Sequence, residues 1–124
     1  GTMGMPTASV RLRDPEGNLH TQASIGTGPV DATYKAIDAI VKAPNMLQEF
    51  VVHAVTEGID ALGEVTVRIQ SDQPSLMLDA QSEVDQPRTY GGYGADTDIV
   101  VASAKAYINA LKKMEFKKKM LVGV

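Results

Sequence analysis

The chain repeats itself, and the repeat restricts its fold more than any other feature. Gly58-Ile59-Asp60-Ala61-Leu62-Gly63-Glu64-Val65-Thr66-Val67-Arg68-Ile69-Gln70 lies over Gly1 through Arg13 without a gap, so that Val67-Arg68-Ile69 falls on Val10-Arg11-Leu12. Further on, Ala102-Ser103-Ala104-Lys105-Ala106-Tyr107 falls on Ala32-Thr33-Tyr34-Lys35-Ala36-Ile37. A Gly-x-Gly turn is expected ahead of each helix of that pair, Gly26-Thr27-Gly28 and Gly92-Tyr93-Gly94. Two copies of one supersecondary unit account for this most simply, and the unit reads as β-β-β-α. A chance match in a Val- and Ala-rich chain is the competing reading. The expected fold class is α+β: two pseudo-repeated units with antiparallel sheets and two main helices, unit one over 1–45 and unit two over 46–124 of a single domain. Unit two opens with a strand around Phe50 to Val55, and unit one has no counterpart. Unit one is therefore expected to lack its first strand, and the chain to be a piece of a longer polypeptide.

Local signals fill in the units. Thr7 to Arg13 alternates, with Val10 and Leu12 on one face, as a half-buried strand does. Asp14-Pro15-Glu16-Gly17 is a turn, because Pro presets φ and Gly supplies φ > 0. Leu19, Thr21, Ala23 and Ile25 continue the alternation and close a hairpin. Pro29 suits the first turn of a helix, and the stripe Val30, Ala32, Tyr34, Ile37, Ile40, Val41 predicts a helix that stops before Pro44. Gln48 to Thr56 and Glu64 to Gln70 read as strands, Ser71 to Pro87 as a long loop, and Thr89 to Tyr93 as a short strand. A helix is predicted from Thr97 to about Met114, capped by Thr97 or Asp96.

The composition removes whole classes of function. With 124 residues the chain fits one domain, small for a self-contained enzyme. Twelve basic against fifteen acidic residues leave a net charge of −3, which gives no field for nucleic acid or an anionic membrane. Lys112, Lys113, Lys117, Lys118 and Lys119 read as a solvated helix end. The absence of cysteine excludes a thiolate nucleophile, a Cys-based zinc site and a disulfide scaffold. No apolar run approaches the roughly 20 residues that span a bilayer. His20 and His53 stand at no metal-ligand spacing, and Asp14, Asp60, Asp96 and Asp98 sit in turns or caps where Asp is favoured locally. No metal, cofactor or catalytic residue is expected.

One stretch does suit a ligand. In Gly26-Thr27-Gly28-Pro29-Val30-Asp31-Ala32 the glycines admit close approach to the backbone, and the helix N-terminus behind them offers free N–H groups. A carboxylate would be favoured there, and Asp31 in the first turn suits an ammonium group, so the pair of features matches an amino acid zwitterion. A tight strand-to-helix turn with Asp31 merely favouring the dipole explains the same residues.

The runs GTGPVDATYKAIDAIVKAP, AVTEGIDALGEVTVRIQ and YGGYGADTDIVVASAKAYINALKKM, in this order, resemble the C-terminal regulatory (leucine-binding, LeuA dimerisation) domain of 2-isopropylmalate synthase. The insertion before the last strand and the wording PTASVRL resemble the plant and algal type. The resemblance implies two β-β-β-α units that bind leucine as a feedback inhibitor of leucine biosynthesis, in a homodimer, attached to a metal-dependent barrel that condenses acetyl-CoA with 2-oxoisovalerate and is absent from this chain. It implies an effector pocket of Gly26, Gly28 and Asp31, with Ala54 and Ala61 on either side of the Thr56-Glu57-Gly58 corner, and Ile99 at the second helix. It places the protein in the cytoplasm, or in the plastid stroma for the plant type. An isoleucine sensor of a citramalate synthase, and a dimerisation module without effector response, remain alternatives.

Overall fold

The computed structural model describes residues 4–54, 61–71 and 88–121. Among them run β1 (Thr7–Arg13), β2 (Leu19–Ile25), α1 (Pro29–Val41), β3 (Asn45–Ala54), β4 (Gly63–Ser71), β5 (Thr89–Asp96) and α2 (Ile99–Leu121). The chain is α+β, with a two-stranded sheet β1-β2 and a three-stranded sheet β3-β4-β5, both antiparallel. It divides into two compact units, Gly1–Lys42 and Ala43–Val124.

In the first unit the predicted turn forms, with Gly17 at φ 91°. The Asp14 carbonyl accepts from Gly17 N at 2.9 Å, and its Oδ1 from Asn18 N at 2.8 Å. Ala8, Val10 and Leu12 form the half-buried face of β1. α1 begins at Pro29 and ends as Lys42 turns left-handed at φ 55°, donating its N–H to Asp38 O at 2.9 Å. Its buried side chains are Ala32, Thr33, Tyr34, Ala36 and Ile37. β2 departs from expectation. Leu19, Thr21, Ala23 and Ile25 pair with Arg13, Arg11, Ser9 and Thr7, so they share the face opposite to Val10 and Leu12. Leu19 and Ile25 are accordingly 53% and 51% exposed.

The second unit is built on β4, the middle strand, whose Val65, Val67 and Ile69 are fully buried. β3 begins at Asn45, earlier than expected, with a register shift between Leu47 and Glu49. Asn45 Nδ2 donates to Ala43 O and to Tyr107 Oη, both at 2.9 Å, which ties the start of β3 to α2. The predicted Ser71–Pro87 loop lies almost wholly outside the described residues, as does the end of the strand predicted to reach Thr56.

Gly92-Tyr93-Gly94 is not a turn. It lies inside β5, and its glycines are there because α2 rests on the strand. Ala102, Ala106 and Ala110, spaced four apart on one helix face, are fully buried. A Cβ on Gly92 would lie 2.6 Å from Ala110 N, and one on Gly94 2.6 Å from Ala106 N. No side chain fits between strand and helix.

The repeat itself holds with the strand and helix alignments as expected, and only the equivalence of the two Gly-x-Gly stretches changes. The pairs Ala8↔Ser24 and Val10↔Gln22 occupy the places of Val65↔Gly94 and Val67↔Gly92. Thr33 Oγ1 donates to Pro29 O at 2.8 Å and Ser103 Oγ to Ile99 O at 2.7 Å, one helical turn back in each case. The counterpart of Gly26-Thr27-Gly28 is therefore Asp96-Thr97-Asp98, immediately before α2. Asp98, not Thr97 or Asp96, is the cap: its Oδ1 accepts from Val100 N at 2.8 Å and from Val101 N at 3.4 Å. α2 also continues past Met114 to Leu121, so the lysine-rich segment is helical.

Candidate functional site

The start of α1 brings Gly26, Gly28 and Asp31 together, and the two glycines do different things. A Cβ on Gly26 would lie 2.6 Å from Asp31 Oδ2 and 2.7 Å from Ala32 Cα, so the turn requires glycine there. Gly28 caps the helix in an extended conformation, φ −159° and ψ 176°, that any residue adopts. A Cβ added to it would meet nothing within 4 Å. The cap position contributes no side-chain hydrogen bond, and Pro29 has no N–H. Val30 and Asp31 thus present their N–H groups at the positive end of the helix without a side-chain cap.

Asp31 is already engaged locally. Its Oδ2 accepts from Thr27 N at 2.8 Å and pairs with Lys35 Nζ at 3.2 Å. The Thr27 N–H, followed by Lys35, holds this carboxyl below its ordinary value. The group is an anion anchored to the turn.

The start of α2 has the same backbone and the opposite chemistry. The Asp98 carboxylate fills the N–H groups that are open at α1. Asp96 Oδ1 accepts from Asp98 N at 2.9 Å and its Oδ2 pairs with Lys105 Nζ at 3.0 Å, so the Asp96 carboxyl too is held low, the Asp98 N–H first among the causes. Two carboxylates occupy this helix start where the first has glycines.

Ala54, Ala61 and Ile99 belong to the second unit. Ala54 closes β3 opposite Gly63. A Cβ on Gly63 would lie 2.6 Å from Ile99 Cδ1, so this glycine, which the sequence patterns did not single out, makes room for the Ile99 side chain. Ile99 stays 36% exposed, and Ala61, two residues before β4, is exposed. Residues 56–58 of the expected corner lie outside the described residues.

An open groove of about 520 Å³ follows β5 and α2, lined by Tyr93, Gly94, Ala95, Lys105, Ile108, Asn109 and Lys112. Asn109 Nδ2 donates to Tyr93 O at 2.7 Å, and Lys105 Nζ to Ala95 O at 3.3 Å. On the other side of the strand the Tyr93 hydroxyl donates to Glu64 Oε1, which pushes the phenol pKa up. His20 pairs with Asp14 at 2.8 Å, and this contact lowers the Asp14 carboxyl. Among the described residues there is no group of three or more His, Cys, Asp or Glu able to hold a metal ion, and no helix long and apolar enough to cross a membrane.

A sequence family described as "LeuA allosteric (dimerisation) domain" matches residues 1–115. The 2-isopropylmalate synthase of Gloeobacter violaceus is 50% identical over 116 residues, which cover 94% of this chain and 19% of that protein. Arabidopsis thaliana 2-isopropylmalate synthase 2, chloroplastic, is 49% identical over 114 residues, 92% of this chain and 18% of its own length. The Olsenella uli 2-isopropylmalate synthase is 51% identical over 114 residues, 92% and 20% of the two chains. The chain thus spans about a fifth of the length of these relatives.

Proposed function

This chain belongs to the LeuA allosteric (dimerisation) domain family, and from that membership we propose that it is the regulatory domain of a 2-isopropylmalate synthase, binding L-leucine as feedback inhibitor and joining two copies in a homodimer. The match across residues 1–115 carries the reading. The chemistry of the α1 start supports it. A leucine zwitterion needs donors for its carboxylate and an acceptor for its ammonium. The uncapped N–H groups of Val30 and Asp31 suit the carboxylate, which gains roughly 0.3–1 kcal/mol from the helix dipole besides its hydrogen bonds. Asp31, already held by Thr27 N and Lys35, is the carboxylate that would meet the ammonium. The space above Gly28 leaves the approach open. At α2 a ligand carboxylate would face Asp96 and Asp98, so one leucine per chain is expected, at α1.

For the second unit, Ala54, Ala61 and Ile99 are proposed separately as effector contacts, on the family resemblance alone. The catalytic barrel is proposed to lie in the remaining four fifths of the parent enzyme, so this chain alone carries no catalysis. Inhibition then requires leucine to favour one arrangement of regulatory and catalytic domains, by about 1–3 kcal/mol in a typical allosteric coupling. The setting proposed is cytoplasm or plastid stroma.

Calorimetric titration of the chain with leucine, isoleucine and valine tests the function. Saturable binding strongest for leucine is expected. Binding of isoleucine alone reassigns the domain to a citramalate-synthase type, and no binding of any of the three leaves a dimerisation module.

A further inference from the structure

β2 and β5 are equivalent outer strands of the two units, yet their outer edges are finished differently. In an antiparallel ladder alternate residues turn both N–H and C=O away from the partner strand. On β5 these include Tyr93 and Ala95, and α2 takes both carbonyls, through Asn109 Nδ2 at 2.7 Å and Lys105 Nζ at 3.3 Å. On β2 the equivalents are Ala23 and Ile25. Gly26 N donates to Pro6 O at 2.9 Å, so the even positions face β1 and the odd ones face outward. The α1 residues standing where Lys105 and Asn109 stand in α2 are Lys35 and Ala39. Lys35 pairs with Asp31, and Ala39 has no donor. Among the described residues no side chain closes the β2 edge.

Proteins usually charge or cover such an edge. The β2 sequence, Leu19-His20-Thr21-Gln22-Ala23-Ser24-Ile25, contains no Lys, Arg, Asp or Glu. Its Leu19 and Ile25 are 53% and 51% exposed. The outer edge of β1 is different in kind: β1 carries Arg11 and Arg13, and its free side corresponds to the side of β4 that β3 fills.

We propose that a second copy of this chain docks on the β2 edge, the two β2 strands pairing antiparallel about a twofold axis at Gln22. The proposal rests on the homodimer of the reading above and names its contact. A twofold interface presents the same patch from both copies. Centring on Gln22 engages all seven residues, with Leu19 opposite the partner's Ile25 and Thr21 opposite the partner's Ala23. These outward-facing residues form four hydrogen-bonded pairs, worth about eight backbone hydrogen bonds at two per pair. Leu19 and Ile25 become cross-strand neighbours, and no like charges meet.

The chain has no cysteine, so a single Gln22→Cys reports on the pairing directly. At the axis this residue faces itself in a non-hydrogen-bonded pair, with Cα atoms about 4.5 Å apart, inside the roughly 4.4–6.8 Å range of disulfides. Mild oxidation is expected to give at least tenfold more covalent dimer from Gln22→Cys than from Ser9→Cys on exposed β1. Ala23→Pro removes an outward N–H without touching the β1 ladder, and it is expected to raise the dimer Kd at least tenfold in sedimentation. A dimeric unmodified chain whose Gln22→Cys variant cross-links no better than Ser9→Cys overturns the β2 contact and leaves the homodimer standing. A monomeric unmodified chain overturns both.

Discussion

Gly92→Ala and Gly91→Ala add the same methyl group one residue apart, and the structure assigns them opposite fates. At Gly92 the new Cβ would lie 2.6 Å from Ala110 N and 2.9 Å from Ala110 Cβ. Carbon contacts are comfortable at about 3.5–4.0 Å and Ala106 O lies nearer still, so α2 must lift by about 1 Å or more, and the colliding atoms include backbone that has no rotamer to change. Even a gap of about 0.5–1 Å forfeits a quarter to a half of each ~0.1–0.2 kcal/mol contact. Over the roughly 50 contacts of one buried side chain, that amounts to about 1–5 kcal/mol, which spans the usual ~1–3 kcal/mol cost of overpacking. At Gly91 the nearest atom is Val67 O at 3.8 Å, an ordinary contact. Gly91→Ala should therefore stay within about 0.5 kcal/mol of the parent chain, helped by a less flexible unfolded state. Urea unfolding followed by far-UV circular dichroism measures both. Equal midpoints for the two variants would show that α2 does not rest on the backbone of β5.

Three further outcomes concern the helix starts and the turn between β1 and β2. Asp98→Ala should cost about 1 kcal/mol in the same unfolding assay, and Asp98→Asn much less, because only the first deletes the acceptor for Val100 and Val101 N–H. Asp14, Asp31 and Asp96 all have folded pKa values below the ordinary 3.8. Their contribution is present above that value and disappears as pH falls through the lower folded values, so urea midpoints should drop in acid, and less steeply in Asp96→Asn; parallel acid limbs would count against the bonds of Asp98 N–H and Lys105 to this carboxylate. Gly28→Val should leave the thermal midpoint close to that of the parent, since its Cβ meets nothing within 4 Å, yet weaken leucine binding at least tenfold in calorimetry. Unchanged affinity would move the ligand away from this helix start.

Much of the fold is legible in the residues because local chemistry dictates it. Asp14-Pro15-Glu16-Gly17 makes its turn with side chains three or four positions apart, and Pro29 opens α1. What stays hidden depends on neighbours distant in sequence. Gly-x-Gly in the first half is a turn before α1, and in the second half it is the floor under Ala102, Ala106 and Ala110. The dipeptide spacing is the same, and only the packed helix tells the two apart. The alternation of β2 was visible, but not which face α1 would cover. Asp96, Thr97 and Asp98 are all able to cap a helix, and the geometry of the Val100 and Val101 N–H groups selects the last. At the candidate site, Asp31 stood out by type and position. Its bond to Thr27 N is a turn geometry no pattern announces, and Gly63 matters only because Ile99 folds over it.

Leucine is proposed to bind at the start of α1. Backbone amide spectra of the isotope-labelled chain, recorded during titration with L-leucine, address it residue by residue. Saturable shifts concentrated at Thr27, Gly28, Val30, Asp31 and Ala32, with Val100 and Val101 unmoved, are the predicted result. A spectrum that leucine leaves unchanged, or shifts centred on Val100 and Val101, would contradict it.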